Sequence, residues 1–166
     1  MTATAVTFDV NVFVAAVVFG RDDFHSWPSP PPVRGNVAAN AVGIVNDARE
    51  FALWVSPHIL ENVIRVLADA DDGYGWSLDE AKEYAEILVE IADASGGGVV
   101  EPAPSVTDCP DFEDNRILEC ALASDSVLIV TNDTDLTSMS PWRGIPIIEA
   151  KDFVGRVDVS RRGRHR

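Results

Sequence analysis

The residues in this chain that could do chemistry are carboxylates placed at the ends of apolar segments. Between Asp108 and Leu136 the sequence reads DCPDFEDNRILECALASDSVLIVTNDTDL, in which Asp111, Glu113 and Asp114 precede one apolar run and Asp133 and Asp135 follow another. A third acidic point, Asp9 with Asn11 two residues on, closes the first β-branched run of the chain. Carboxylates forced to within a few ångströms repel, and their pKa values rise unless a cation neutralises them. Oxygen donors of this kind suit a hard divalent cation, whereas the soft ligands that favour zinc are missing. Cys109 and Cys120 stand eleven apart with no histidine at ligand spacing, which speaks against a zinc site and against a disulfide framework. Cys120 is expected as a small core residue and Cys109 as a loop thiol. A divalent cation held by carboxylates and facing phosphate oxygens is equipped to hydrolyse a phosphodiester. The competing, purely structural role of such residues is local: Asp and Asn cap helices and form turns after strands, and Asp111 is placed to cap the helix that contains Asp114.

For the carboxylates to meet, the elements between them must alternate. Thr4 to Val10 reads as a strand ending at Asp9, and the short run Phe13 to Phe19, ambiguous in itself, is taken as the helix that follows. Val37 to Glu50 has the spacing of a helix, Phe51 to Val55 that of a buried strand. Ser56 and Pro57 form a helix start, with His58 to Asp69 carrying Leu60, Val63, Ile64 and Leu67 on one face. Ser77 and Glu80 make a capping box that opens a helix to about Ala94, stopped by three glycines before a short strand at Val99 and Val100. Ile117, Leu118, Ala121 and Leu122 mark the next helix face, Val127 to Val130 a strand buried on both sides, and Ile145 to Ile148 a last strand whose Pro146 suggests an edge. Glu149 to Val154 is expected as a final helical turn. Alternation of this kind predicts an α/β fold, a three-layer α/β/α sandwich with a mostly parallel central sheet. Sites in such folds lie at the carboxyl ends of the strands, where Asp9, Asp114 and Asp133 would fall together.

The bulk properties limit the function classes. At 166 residues there is room for one domain with a sizeable core, expected over 1–155, with a proline-rich loop insertion at 21–36 and a basic, disordered tail at 156–166. The loop can be a functional flap or a simple insertion, and its Trp27 and His25 either stack on a base or pin the loop to the body. No apolar run of membrane-spanning length and no signal pattern occurs, so the chain is expected in the cytoplasm and away from membranes. The net charge of −14 is not that of a protein that holds phosphate by counterion release, unless its carboxylates are gathered at a divalent-cation site or its basic residues are segregated. The Arg-rich end, Arg161 to Arg166, is read either as a solubilising terminus or as a contact for nucleic acid or an acidic partner.

Four stretches, TFDVNVFVAAVVF, SPHILENVIRVL, DCPDFEDNRILECALA and VLIVTNDTDL, together resemble the PIN domain family, in particular its bacterial toxin components of toxin–antitoxin pairs. That family opens on a strand ending D-T-N, carries S-x-x-ΦΦ-x-E-Φ in its middle, then D-x-D-N before a helix and V-T-G-D-x-D-L after a strand. The resemblance runs from Thr7 to about Phe153 and implies a Mg²⁺- or Mn²⁺-dependent endoribonuclease acting on single-stranded or looped RNA, with an antitoxin protein as partner. By matching positions, Asp9, Asp114 and Asp133 would bind the metal, and Asp135 would either support them or bind a second metal ion. Asn11 would orient Asp9 or a metal-bound water, and Thr131 would support the turn at Asp133 by hydrogen bonding. Whether the chain forms a homodimer is left open by the sequence.

Two positions depart from the pattern. Val10 replaces the threonine of D-T-N, and Asn62 stands where the family carries glutamate. The adjacent Glu61 cannot substitute for it: at about 100° per residue it points away from the apolar face and into solvent. Weaker metal binding than in a four-carboxylate member is therefore expected. The alternative is a PIN-like binding module of low or no activity, whose acidic groove takes a protein partner with basic side chains. Two other acidic α/β phosphotransfer folds fit less well. A haloacid-dehalogenase site needs an aspartate where Asn11 stands, and a receiver domain needs a lysine directly after a late strand.

Overall fold

The computed structural model describes residues 3–18, 24, 25, 27 and 36–164. Most of the proline-rich segment expected as an insertion lies outside the described residues, as do His165 and Arg166.

The chain alternates between strand and helix because β-branched and aliphatic runs are separated by well-capped helices. Strand β1 (Thr4–Phe8) leads into α1 (Val10–Val18), and α2 (Val37–Asn46) into β2 (Phe51–Val55). Helices α3 (Pro57–Ala68) and α4 (Leu78–Ser95) follow, then β3 (Gly98–Val99) and α5 (Phe112–Ala123). Strand β4 (Leu128–Val130), the short α6 (Thr134–Thr137), β5 (Ile147–Ile148) and α7 (Ala150–Gly163) complete the order. The five strands form one sheet in the order β3-β2-β1-β4-β5, and every pairing is parallel. Parallel pairing requires crossovers, which the helices supply on both faces, so the fold is the expected three-layer α/β/α sandwich. On one face Phe8 meets Phe13 of α1 and Phe153 of α7 at ring separations of 5.8 and 5.5 Å. On the other, the Thr7 hydroxyl lies 2.8 Å from that of Ser126 and Cys120 of α5 packs beneath β2.

Local chemistry sets the element ends. Ser56, Ser77 and Asp111 each accept a backbone N–H in the first turn of the helix that follows, satisfying donors the helix leaves open. After α4 the chain must turn against β2 with no room to spare: a Cβ on Gly97 would stand 1.9 Å from the Leu53 carbonyl oxygen. Pro146 does precede an edge strand, β5. Cys120 is fully buried as expected, and Cys109, although in a loop, is buried as well.

One element differs from the sequence reading. The C-terminal segment was expected to form one helical turn and then a disordered basic tail from residue 156, whereas α7 continues to Gly163. The cause is Arg161, whose side chain is 7% exposed and ion-pairs with Asp47 and Glu50 at 3.0 and 2.9 Å. Those two acids flank the turn between α2 and β2, so the arginine stitches the end of the chain to the amino-terminal end of the sheet. Arg164 reaches Glu50 at 3.0 Å and Arg162 pairs with Asp158 at 3.0 Å within the helix. Of the arginines that read as a segregated tail, Arg161 is paired inside the fold, and Arg162 and Arg164 are paired at its surface.

Candidate metal centre

Asp9 follows β1 directly, Asp133 lies just past β4, and Asp114 sits in the first turn of α5. Because β1 and β4 are adjacent parallel strands with Phe8 paired to Val130, their carboxyl ends stand side by side. Asp9, Asp114 and Asp133 each offer a carboxylate oxygen to a group whose atoms all lie within 4.8 Å of one another. Asp9 and Asp114 are buried and Asp133 is half-buried. Among the described residues this is the one such cluster.

Each carboxylate is held by donors the local turns provide. Asp9 Oδ1 accepts the N–H of Val10 at 2.6 Å, and Oδ2 accepts the Thr131 hydroxyl at 2.7 Å and the Asn11 amide at 3.2 Å. The Thr131 oxygen in turn accepts the N–H of Asp133 at 3.0 Å, so one hydroxyl ties the first and last aspartates together. Asn11 also takes the N–H of Asn132 on its Oδ1 at 3.1 Å. Asp133 caps α6 by accepting the N–H of Asp135 at 2.9 Å. Asp114 is approached by the Cys109 thiol, its Sγ 3.6 Å from Oδ2. Burial and the neighbouring Asp114 and Asp111 charges push that thiol upward in pKa, so it stays protonated and can donate.

The electrostatics show a deficit of positive charge. Burial, helped by the charges of Asp133 and Asp111, raises Asp9 to about 6 even though Thr131 and Val10 donate to it. Burial followed by the charges of Asp133, Asp9 and Asp111 raises Asp114 to about 7. Three hard oxygen donors, converging and uncompensated, match what a divalent cation of the magnesium or manganese kind requires, and the residues present fit one.

Other expected site residues stand elsewhere. Asp135 lies outside the group. Its backbone N–H serves Asp133, while its side chain is exposed on the first turn of α6. Asp111 is the N-cap of α5, accepting the N–H of Glu113 at 2.8 Å, and reaches the cluster only through its charge. Glu61 is exposed, as the helix geometry predicts, and Asn62 is buried. The hydrogen bonds of Asn62 go away from the aspartates: Oδ1 accepts from Arg65 at 2.9 Å, and Nδ2 lies 2.8 Å from His58 Nε2 and donates to Glu113. His58 Nε2 lies 2.6 Å from the same Glu113 carboxylate. Burial would raise Glu113, but the hydrogen bonds of His58 and Asn62 and the charges of His58 and Arg65 outweigh it and hold the carboxyl below its ordinary value. The place of the missing helical glutamate is thus occupied by an amide tied to a carboxylate from α5. Tyr74, in the turn after α3, lines the same cleft as Asp9, Asp114 and Asp133. The only sequence signal for it is an aromatic residue between two glycines, which by itself marks a turn and nothing more.

A parallel sheet with an acidic group at the carboxyl ends of its central strands is an arrangement compatible with metal-dependent chemistry on phosphate esters. The chain belongs to the PIN domain family, whose model matches residues 5–135. PIN domains are generally nucleases that use divalent metal ions, and the aspartate group is compatible with such a site. No curated protein matches the chain. Among the described residues no helix is long and apolar enough to cross a membrane.

Proposed function

We propose that this PIN domain is a Mg²⁺- or Mn²⁺-dependent endoribonuclease that hydrolyses phosphodiester bonds in single-stranded or looped RNA, acting in the cytoplasm as the toxin of a toxin–antitoxin pair. The observation that carries the chemistry is the convergence of the Asp9, Asp114 and Asp133 carboxylates to within 4.8 Å. A divalent cation bound there would activate water for attack on the phosphorus and offset the charge on the departing oxygen. The protein contributes preorganisation. Val10, Thr131 and Asn11 fix the Asp9 carboxylate through both oxygens, and Thr131 sets the Asp133 turn, so the ligands need little reordering. The toxin role is supported by the bacterial group whose motifs the chain resembles, and the antitoxin would be a protein presenting basic side chains to the acidic cleft.

Incubating the protein with a panel of structured and unstructured RNAs in Mn²⁺ tests the reading. Cleavage is expected, with loss to background on adding chelator or on replacing Asp114 by Asn. A cleavage rate that is the same in chelator would overturn it.

One observation favours a second reading. The amide of Asn62, where the family carries a carboxylate, is fully engaged with His58, Glu113 and Arg65. A site short of that charge fits a binding module whose acidic cleft captures a basic protein. A wild type that cleaves none of the panel while Asp114→Asn still binds such a partner would favour it.

A further inference from the structure

The three aspartates share their cleft, about 430 Å³, with a wall of different chemistry. Val14 and Ala15 of α1, Val66 in the last turn of α3 and Tyr74 beyond it line the same space. Isolated exposed apolar residues are ordinary on protein surfaces. Here, however, an aromatic residue that is 50% exposed belongs to the same cleft as the acidic group.

The turn that presents Tyr74 has little freedom. Asp69 Oδ1 accepts the N–H groups of Asp71 and Asp72 at 2.8 and 3.0 Å, and the N–H of Tyr74 reaches the Val66 carbonyl at 3.3 Å. A Cβ on Gly73 would stand 2.5 Å from the Asp69 carbonyl oxygen and 2.6 Å from that of Val66, so only glycine allows the backbone to pass so close. Gly75 follows at φ +74°, a conformation that favours glycine. Tyr74 is therefore carried by a preset backbone, which lowers the entropic cost of using it to bind.

We infer that Tyr74, with Val14, Ala15 and Val66, forms a base-stacking subsite that takes one nucleobase of a single-stranded RNA beside the aspartate group. The inference rests on the nuclease reading and names how that site holds its substrate. Charge argues for it as much as shape does. A body of net charge −14 repels a polyanion, so contacts that do not depend on charge add to whatever grip a bound cation would supply. Stacking on an aromatic face is such a contact, it tolerates any base, and it is open only to bases free of a duplex. Ala15 and Val66, half-buried on the same wall, add apolar surface over the buried Val14.

Fluorescence anisotropy with a labelled single-stranded DNA oligonucleotide in Mn²⁺, alongside steady-state cleavage of the matching RNA, tests the subsite. Tyr74→Ala is expected to weaken oligonucleotide binding by about tenfold and to raise KM similarly with kcat little changed, while Tyr74→Phe stays within about twofold of wild type. Because the side chain stands outside the core, thermal melting of both variants should match wild type. Unchanged binding and KM in Tyr74→Ala, in a protein whose wild type cleaves RNA, would overturn the subsite alone. A wild type that neither binds nor cleaves RNA would remove the nuclease reading and the subsite with it.

Discussion

Asp9 and Asp114 face conflicting demands: burial disfavours their charge, and their proposed role requires it. Their carboxyls stand near 6 and near 7 in the fold against an ordinary value of 3.8. A raised folded pKa means that the native chain holds these protons more tightly than the unfolded one. The stability of the metal-free protein from this source is therefore full below about 4 and is lost as pH rises towards 7. Replacing Asp9 by Asn removes that loss, so at pH 8 without metal the variant should melt above wild type by an amount worth on the order of 2 kcal/mol. At pH 4.5 the gain should shrink. A variant that melts at or below wild type at pH 8, followed by differential scanning calorimetry, would contradict the charge deficit. At this scale the sequence was informative where a residue lies within a few positions of a strand's end, because that end dictates where Asp9 and Asp133 go. Asn62 and Glu113 were not legible in the same way. Their contact joins α3 to α5 across 51 positions of chain, and no local pattern announces a hydrogen bond of that range.

Among the elements, α7 shows how a basic run can be structural. Burial alone would raise the Glu50 carboxyl, but the hydrogen bonds and charges of Arg161 and Arg164 outweigh it and hold it below its ordinary value. A depressed carboxylate contributes stability above its unfolded pKa of about 4.5 and loses it as pH falls through the folded value. Replacing Arg161 by Ala strands two acids, Glu50 and Asp47, against the body. It should cost about 3 kcal/mol at pH 7 in urea denaturation, and clearly less at pH 3.5, where Glu50 in the variant is largely protonated. An equal loss at both pH values would show that packing, not charge, fastens α7. From the sequence only one helical turn, Glu149 to Val154, is expected here, whereas the helix runs to Gly163. The acids that recruit Arg161 lie more than a hundred residues upstream. By contrast, β2, α3 and α4 were read to within a residue or two, since Ser56, Ser77 and the triple glycine state their own boundaries locally.

For the whole molecule the controlling fact is a strongly acidic body that concentrates uncompensated carboxylates at one edge of a parallel sheet. The fold class was readable because alternating strands and helices admit few arrangements, and the parallel order β3-β2-β1-β4-β5 brings the first and fourth strands together. The stacking wall was not readable, because it is assembled from α1, α3 and a glycine turn that meet only in three dimensions. Cation binding at the aspartates is the claim on which the rest depends. Its most direct measurement is a calorimetric titration of the metal-free protein with Mn²⁺ at pH 8, compared with Asp114→Asn. The account predicts saturable uptake by the wild type, weakening as pH falls through 7 to 6 and abolished in the variant. Absence of uptake, or uptake indifferent to the substitution, would contradict it.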